Sequence, residues 1–169
     1  MAKITFKGNT VTTSGELPKK GSTAPDFSLT TQELEERTLK DFSGKKILNI
    51  VPSLDTGVCA ASAKTFEGRA HELTGSVVIT VSKDLPFAQK RFCQSEGIDN
   101  VVTLSAFRTP EFGKDYGVEM QDGPLRGLLS RAVVILDEHN RVIYTEQVPE
   151  IAQEPDYDAV MEAVTKAQG

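Results

Sequence analysis

Two cysteines, Cys59 and Cys93, are the residues of this chain best suited to carry chemistry. Cys59 follows a loop that begins at Pro52, and the pattern after the loop predicts that this cysteine occupies the first turn of a helix. A helix N-terminus has unpaired N–H groups and a partial positive charge, and both favour a thiolate over a thiol. Because the thiolate is the reactive form, the position indicates a nucleophilic or redox-active sulfur.

A structural interpretation of the same residues also fits the sequence. Cys59 shares an apolar helical stripe with Ala63 and Phe66, and free cysteine often acts as a small buried hydrophobe. Thr56 could turn its hydroxyl towards the sulfur or a substrate oxygen, or it could simply cap the helix. Pro52 stiffens the loop before it. The stripe alone leaves both interpretations of Cys59 open.

Other kinds of functional site lack their sequence signals. The chain has no Cys-x-x-Cys pair, which dithiol exchange and the common zinc sites use. Its two histidines, His71 and His139, fall late in a predicted helix and in a turn, where neither is a convincing base or ligand. With 19 Lys and Arg against 24 Asp and Glu, the net charge is −5, which excludes a broadly basic surface for nucleic acid.

The sequence also argues against a membrane or secreted location. No segment approaches the roughly 18 consecutive apolar residues that would span a bilayer. The first residues lack the apolar core of a secretory signal, and two cysteines are too few for a domain held together by disulfides. We therefore expect a cytoplasmic protein that has no membrane partner.

Strands and helices alternate through the middle of the chain and must position these side chains. Apolar runs at 46–51 and 76–82 predict buried strands. A helical pattern at 58–73 follows the first run, and a helix from Pro86 to Glu96, capped by Asp84 and stopped by Gly97, follows the second. The remaining predicted elements are a strand at 101–104, a short helix at 109–116, a hairpin at 131–145 and a helix from Pro155 to about Lys166.

The first residues predict a β-hairpin, with Gly8-Asn9 as its turn between Ile4–Lys7 and Thr10–Thr13. Together with the alternation, it predicts an α/β fold with a mixed central sheet flanked by helices. The length of 169 residues favours a single domain over 1–169. A helix that follows a central strand begins at the carboxyl edge of the sheet, where sites tend to form.

The stretch Pro52-Ser53-Leu54-Asp55-Thr56-Gly57-Val58-Cys59 resembles the Pro-x-x-x-Thr-x-x-Cys signature of the peroxiredoxins. The fuller likeness is to their bacterial thiol peroxidase branch, and it includes segments 82–89, 91–93 and 122–125 in the family's order. The resemblance implies a thioredoxin-like fold and a peroxidase without a bound cofactor. It also implies hydrogen peroxide and organic hydroperoxides as substrates, thioredoxin as reductant, and a homodimer.

The resemblance further implies a role for each matching site residue. Cys59 matches the peroxidatic cysteine, which attacks the peroxide and becomes a sulfenic acid. Cys93 matches the resolving cysteine, which would close an intramolecular Cys59–Cys93 disulfide. Thr56 and Pro52 match residues of the family's site, and Arg131 matches the arginine that faces the thiolate.

Reasoning from the residues alone leaves alternatives to these roles. Arg131 could pair with any carboxylate, and Arg108 and Arg126 compete with it for the site. Cys93 could be another buried thiol, and the cysteines could serve a redox sensor or binding module rather than an enzyme. A disulfide needs Cα atoms within about 4.4–6.8 Å, which cysteines on separate helices rarely meet. We therefore expect the helix of Cys93 and the first turn at Cys59 to unwind locally when the bond forms.

Overall fold

A computed structural model describes residues 2–166 of the chain. Strands and helices alternate through its middle, as the sequence predicts. The strands are β1 (Lys3–Phe6), β2 (Asn9–Thr12), β3 (Leu29–Thr30), β4 (Glu36–Arg37), β5 (Lys45–Ile50), β6 (Ser76–Ser82), β7 (Val101–Ser105), β8 (Ala132–Leu136) and β9 (Val142–Gln147). The helices are α1 (Gly57–Gly68), α2 (Pro86–Glu96), α3 (Glu111–Asp115) and α4 (Tyr157–Lys166).

Within residues 2–166, seven strands form one mixed sheet in the order β4-β3-β7-β6-β5-β8-β9. Strands β5, β6 and β7 are parallel, whereas the pairs on either side of them are antiparallel. The apolar runs predicted as buried strands are β5 and β6, which lie in the interior of the sheet. Because β5 and β6 are parallel, the loops that lead to α1 and α2 leave the sheet at the same edge.

Side chains of the sheet alternate between two apolar clusters. In β8, Val133 and Ile135 belong to the cluster beneath α1, α2 and α4, whereas Val134 belongs to the cluster on the opposite face. Phe112 of α3 packs in that second cluster. Helices therefore cover both faces of the sheet, and the predicted mixed sheet flanked by helices is confirmed.

The N-terminal hairpin forms as a separate two-stranded sheet of β1 and β2, but its turn lies one residue earlier than predicted. Phe6 pairs with Asn9, so the two turn residues are Lys7 and Gly8 rather than Gly8 and Asn9. Both have positive φ, 51° and 83°, as a type I′ turn requires, and glycine fits the second position. The hairpin packs Ile4 against Ile151, in a third apolar cluster.

Helix α1 is shorter than the predicted helix over 58–73. It ends at Gly68, and a 3₁₀ turn at Ala70–Leu73 follows it. The apolar stripe gives no sign of this end because the turn still buries Leu73. The Arg69 side chain lies at the break and forms ion pairs with Glu72 in the turn and with Asp158 of α4. The end of α1 therefore coincides with a tertiary ion pair, from Arg69 to Asp158, which the local sequence pattern does not show.

Candidate active site

Cys59 lies in the first turn of α1, as the sequence predicts. The helix begins at Gly57, after Thr56, whose extended backbone (φ −106°, ψ 151°) places it at the N-cap position. Cys59 is a free thiol with no exposed surface, in the cluster beneath α1, α2 and α4. Its position at the helix N-terminus puts unpaired backbone N–H groups and the positive end of the helix dipole close to the sulfur.

The carboxylate of Asp84 fastens the loop that precedes α1. It accepts hydrogen bonds from the Ser53 hydroxyl, the Leu54 backbone N–H and the Ser82 hydroxyl, each at 2.7 Å. The prediction that Asp84 caps α2 is wrong, because Leu85 holds the N-cap position and no side chain caps the helix. The partners of Asp84 lie across two loops at the sheet edge, so a local capping rule could not find them.

Thr56 does not bond to the cysteine sulfur in this structure. Its hydroxyl donates to the Ser53 backbone carbonyl at 3.0 Å, within the same loop. Thr56 holds the N-cap position of α1, as the capping interpretation requires, but its side chain makes no capping hydrogen bond. Since the proton is used by Ser53, the hydroxyl oxygen keeps its lone pairs to accept a hydrogen bond from a ligand or thiol.

Arg131 lies directly before β8 and is buried, with 2% of the residue exposed. Its Nε donates to the Ile151 backbone carbonyl at 2.8 Å. Its Nη1 is also buried and has no hydrogen-bond partner among residues 2–166. The competing candidates, Arg108 and Arg126, are exposed. Arg131 is therefore the arginine with an unused donor inside the protein.

A cavity of about 360 Å³ brings three of the predicted site residues, Pro52, Thr56 and Arg131, together with the hairpin, whereas the buried Cys59 lies behind its wall in the first turn of α1. Pro52, Thr56 and the first turn of α1 line one part of it, and Arg131 lines another. The remaining walls are mainly apolar and come from Phe6, Leu125, Leu128 and Ile151, with Lys7 and Ala152 beside them. None of the described residues that line the cavity is acidic, so its charged groups are cations only.

Cys93 is also a free, buried thiol, and it lies in α2 within the same apolar cluster as Cys59. The side chain of Gln32 donates from Nε2 to the Cys93 sulfur at 3.5 Å and to the Thr103 hydroxyl at 2.6 Å. Burial raises the pKa of the Cys93 thiol, and the hydrogen bonds from Gln32 and Thr103 oppose that rise. The two sulfurs belong to different helices and are not bonded, so the disulfide stays a prediction.

Sequence reasoning did not single out Gln32. It lies in the connection between β3 and β4, which has no periodicity and no motif. Its contact with Cys93 spans 61 positions and exists because β3 pairs beside β7, where Thr103 lies. Only the sheet order could have indicated it.

Two further findings concern the part of the chain that the structure describes. Across residues 2–166, no group of three or more His, Cys, Asp and Glu side chains is arranged to hold a metal ion. None of the helices in that range has the length and apolar character needed to cross a bilayer.

Comparison with known proteins identifies the family. A family model described as Redoxin matches residues 19–161. Thiol peroxidases of Mycobacterium bovis and Mycobacterium tuberculosis are each 54% identical to the chain over 165 residues, which is 97% of this chain and 99% of each relative.

Solved structures agree with this assignment. A peroxiredoxin-like protein from Aquifex aeolicus superposes with a TM-score of 0.90 at 41% identity, over 98% of this chain and 97% of that one. A thiol peroxidase from Chromobacterium violaceum has a TM-score of 0.92 at 23% identity, over 100% and 99% of the two chains, and supports the fold alone. The thioredoxin-like fold implied by the sequence resemblance is confirmed. The chain therefore belongs to the redoxin family and, within it, to the thiol peroxidase branch of the peroxiredoxins, whose members are peroxidases.

Proposed function

We propose that this peroxidase reduces hydrogen peroxide and organic hydroperoxides through Cys59, resolves the product with Cys93, and is recycled by thioredoxin in the cytoplasm. One observation carries the proposal: the cavity beside the first turn of α1 contains a buried arginine whose Nη1 has no partner among the described residues. A buried donor left unpaired costs about 1–3 kcal/mol, which a peroxide oxygen or thiolate would recover.

The first step is attack of the Cys59 thiolate on one oxygen of the peroxide. The S–O bond forms as the O–O bond breaks, so sulfur is oxidised to a sulfenic acid and the peroxide is reduced. The leaving oxygen departs as hydroxide or alkoxide and takes a proton to become water or an alcohol. Charge moves from sulfur to that oxygen, so fixed donors nearby stabilise the transition state.

Arg131 and Thr56 are the side chains suited to that stabilisation. The guanidinium is a permanent cation whose planar donors can reach the two peroxide oxygens, and the same charge favours a thiolate. Thr56 has its proton committed to Ser53, so its oxygen is free to accept the O–H of the hydroperoxide. Pro52 shapes the loop that carries Thr56. The apolar walls of Phe6, Leu125 and Leu128 support organic hydroperoxides as substrates.

In the second step the Cys93 thiol attacks the sulfenic sulfur, the S–S bond forms, and the hydroxyl group leaves as water. Cys93 follows Cys59 by 34 positions, and closing such a loop contributes about 4 kcal/mol of stabilisation in the chain-entropy model. Because both thiols are buried in different helices, the helix around Cys93 and the first turn at Cys59 must unwind locally, and the lost contacts offset part of that gain. If the stabilisation from the disulfide and the cost of the lost helix contacts nearly cancel, the bond can both form and be reduced in each cycle.

Thioredoxin would close the cycle, since its two thiols supply the electrons that return the disulfide to two free thiols. The test is an assay that couples hydroperoxide reduction to NADPH through thioredoxin and thioredoxin reductase. Sustained NADPH consumption that is lost in Cys59→Ser supports the proposal, with Ser95→Ala, an exposed neighbour of Cys93, as a control. Cys93→Ser should allow one oxidation and then stall, with mass spectra showing sulfinic acid at Cys59.

Two results of that assay would contradict the proposal. A single stoichiometric oxidation without turnover would indicate a redox sensor that uses the same cysteines. Full activity in Cys59→Ser would remove the peroxidatic role from that residue. Running hydrogen peroxide beside cumene hydroperoxide would show whether the apolar walls favour the organic substrate, as we expect.

We also propose a homodimer, which the family resemblance implies. Leu85, Phe87 and Phe107 are exposed, at 45%, 65% and 61%. They flank two loops at the carboxyl edge of the sheet that are joined by the bond from the Ser105 hydroxyl to the Asp84 carbonyl. Sedimentation of wild type and Phe87→Ser tests this assembly: a monomeric wild type contradicts the homodimer, and a dimeric variant excludes this surface as the interface.

A further inference from the structure

The carboxylate of Glu150 joins the N-terminal hairpin to the segment after β9. One oxygen accepts from the Gly8 backbone N–H at 2.9 Å and the Thr5 hydroxyl at 3.1 Å, and the other accepts from the Ala152 backbone N–H at 2.7 Å. These hydrogen bonds lower the pKa of Glu150 to about 2, so the carboxylate stays ionised wherever the protein is folded and active.

Backbone contacts continue the same junction. The Thr5 N–H donates to the Pro149 carbonyl, and the Ile151 N–H donates to the Thr5 carbonyl, both at 2.8 Å. Thr5 and Glu150 thereby form a parallel bridge. The side chain of Ile151 packs with Ile4 in the third apolar cluster. Strand β1 therefore fixes the position of Ile151 from both its backbone and its side chain.

Ile151 also supplies the oxygen that orients the buried arginine. Its carbonyl accepts the hydrogen bond from Arg131 Nε. The N–H of the same peptide unit, which belongs to Ala152, donates to the Glu150 carboxylate. This is the only hydrogen bond from the Arg131 side chain that we find among residues 2–166. Phe6, Lys7, Ile151 and Ala152, which the Glu150 junction brings together, also line the cavity that Arg131 faces.

We propose that Glu150 is a positioning residue for Arg131: it fastens the β1–β2 turn to segment 149–152, and so holds the carbonyl that orients the guanidinium in the site cavity. Its effect on turnover rests on the proposed function, in which Arg131 acts on the thiolate and the peroxide. The hairpin thereby becomes part of the active-site framework rather than an N-terminal extension. Without the carboxylate, the backbone N–H groups of Gly8 and Ala152 lose their acceptor, and the Ile151 carbonyl is held only by the contacts with β1.

The test compares Glu150→Ala and the isosteric Glu150→Gln with Glu138→Ala, which removes an exposed carboxylate after the opposite end of β8. The structural readout is hydrogen exchange at Arg131 Nε–H by ¹⁵N NMR, with the slow amides of β6 as a reference for global opening. We expect exchange at Nε–H to accelerate about tenfold relative to β6 in Glu150→Ala, less in Glu150→Gln, and not at all in Glu138→Ala.

Kinetics supply the second readout. Glu150→Ala should lower kcat/KM for hydroperoxide by about tenfold, as expected when a catalytic group is displaced. In an Arg131→Met background the same substitution should change kcat/KM by less than about twofold, because a residue that acts through Arg131 has nothing left to position.

Each outcome decides between the positioning role and a simple anchor. Unchanged exchange at Arg131 Nε–H in Glu150→Ala overturns the proposal, whatever happens to turnover. The proposal is also overturned if Glu150→Ala lowers kcat/KM by the same factor in the Arg131→Met background as in the wild type. If Arg131→Met leaves the peroxidase unimpaired, the proposed role of Arg131 fails, whereas the exchange measurement still answers whether Glu150 positions that side chain.

Discussion

Two buried side chains, Cys59 and Arg131, carry groups that water would otherwise solvate. Burying a charge is costly unless an opposite charge or hydrogen bonds compensate for it. Arg131 has one such bond, to the Ile151 carbonyl, and a second buried donor without a partner in the described chain. A thiolate or a peroxide oxygen in the cavity would supply the missing hydrogen-bond acceptor. Arg131 is therefore a buried cation that keeps a donor available for a ligand.

The guanidinium of Arg131 should not be replaceable by an ammonium. In Arg131→Lys the positive charge remains, but the donor to Ile151 and the planar pair of donors towards the cavity are lost. We expect kcat/KM for hydroperoxide to fall about 100-fold, the cost of losing one preorganised donor. Stopped-flow kinetics measures the effect, and Arg126→Lys, at an exposed arginine beside Leu125, is the matched control. Activity within twofold of wild type in Arg131→Lys would remove this role.

Gln32 should tune the reactivity of Cys93. Burial raises the pKa of that thiol, and the Nε2–H of Gln32 lowers it by favouring the thiolate. In Gln32→Met the donor is lost at similar side-chain length, so the pKa of Cys93 should rise further. The measurement is the pH profile of Cys93 alkylation in a Cys59→Ser background, beside the exposed control Gln94→Met. A profile that stays in place, with only its amplitude changed, would show that Gln32 affects access alone.

Among the elements, the loops after β5 and β6 depend on each other. Asp84, in the second loop, accepts hydrogen bonds from Ser53 and Leu54 in the first. The loop that leads to the reactive cysteine is thus braced by the loop that leads into the helix of Cys93. Because Asp84 bonds to both loops, a displacement of the first turn of α2 should also displace the loop before α1, and a displacement of that loop should also displace the start of α2.

Asp84→Asn tests that brace. The amide retains only one acceptor oxygen, so some of the hydrogen bonds from Ser53, Leu54 and Ser82 are lost. Each hydrogen bond to a charged group is worth about 1.5–3 kcal/mol. We expect the free energy of unfolding, from urea titration, to fall by about 2 kcal/mol. Asp55→Asn, an exposed carboxyl in the same loop, should change it by less than about 0.5 kcal/mol. Equal losses in the two variants would mean that the Asp84 contacts add nothing to stability.

At the level of the whole molecule, local patterns and long-range contacts were not equally predictable. The limits of α2 follow from Pro86 in its first turn and Gly97 with φ of 66°, and both are visible in the sequence. The position of Cys59 in a first turn is equally local. Each of these features depends on neighbours within about four residues, which is the range that capping and periodicity rules describe.

The parts that the residues alone could not predict are pairings set by strand order. The contact of Gln32 with Cys93 and the bond of Arg131 to Ile151 join residues 61 and 20 positions apart. Family resemblance proposed Arg131 as a site residue, but the carbonyl that orients it and the hairpin that fixes that carbonyl come from tertiary packing alone. Position in a motif can nominate a catalytic side chain, whereas the residues that hold it are found only in the fold.

The folded chain should lose stability in alkali. Burial raises the pKa of Tyr144 to about 12, and it raises the pKa values of Tyr116, Tyr157 and Cys93 above their ordinary ranges. Carboxylates facing the tyrosines act in the same direction, from Asp26 and Asp115 at Tyr116, Glu146 and Asp156 at Tyr144, and Glu154 at Tyr157. A raised pKa means that the folded state holds its proton more tightly than the unfolded chain. The resulting stabilisation is complete below the unfolded pKa and is lost as the pH rises towards the folded pKa.

Unfolding free energies from urea titration should therefore be level to about pH 8, begin to fall as unfolded Cys93 ionises, and fall faster above pH 10, where unfolded tyrosines ionise. Each group contributes at most about 1.4 kcal/mol per pH unit. Lys46 opposes the trend, because burial lowers its pKa and deprotonation favours the folded state, but it is one group against four. Cys93→Ser should abolish the early decline and leave the later one, whereas a curve that stays flat or rises to pH 11 would contradict the burial of these groups.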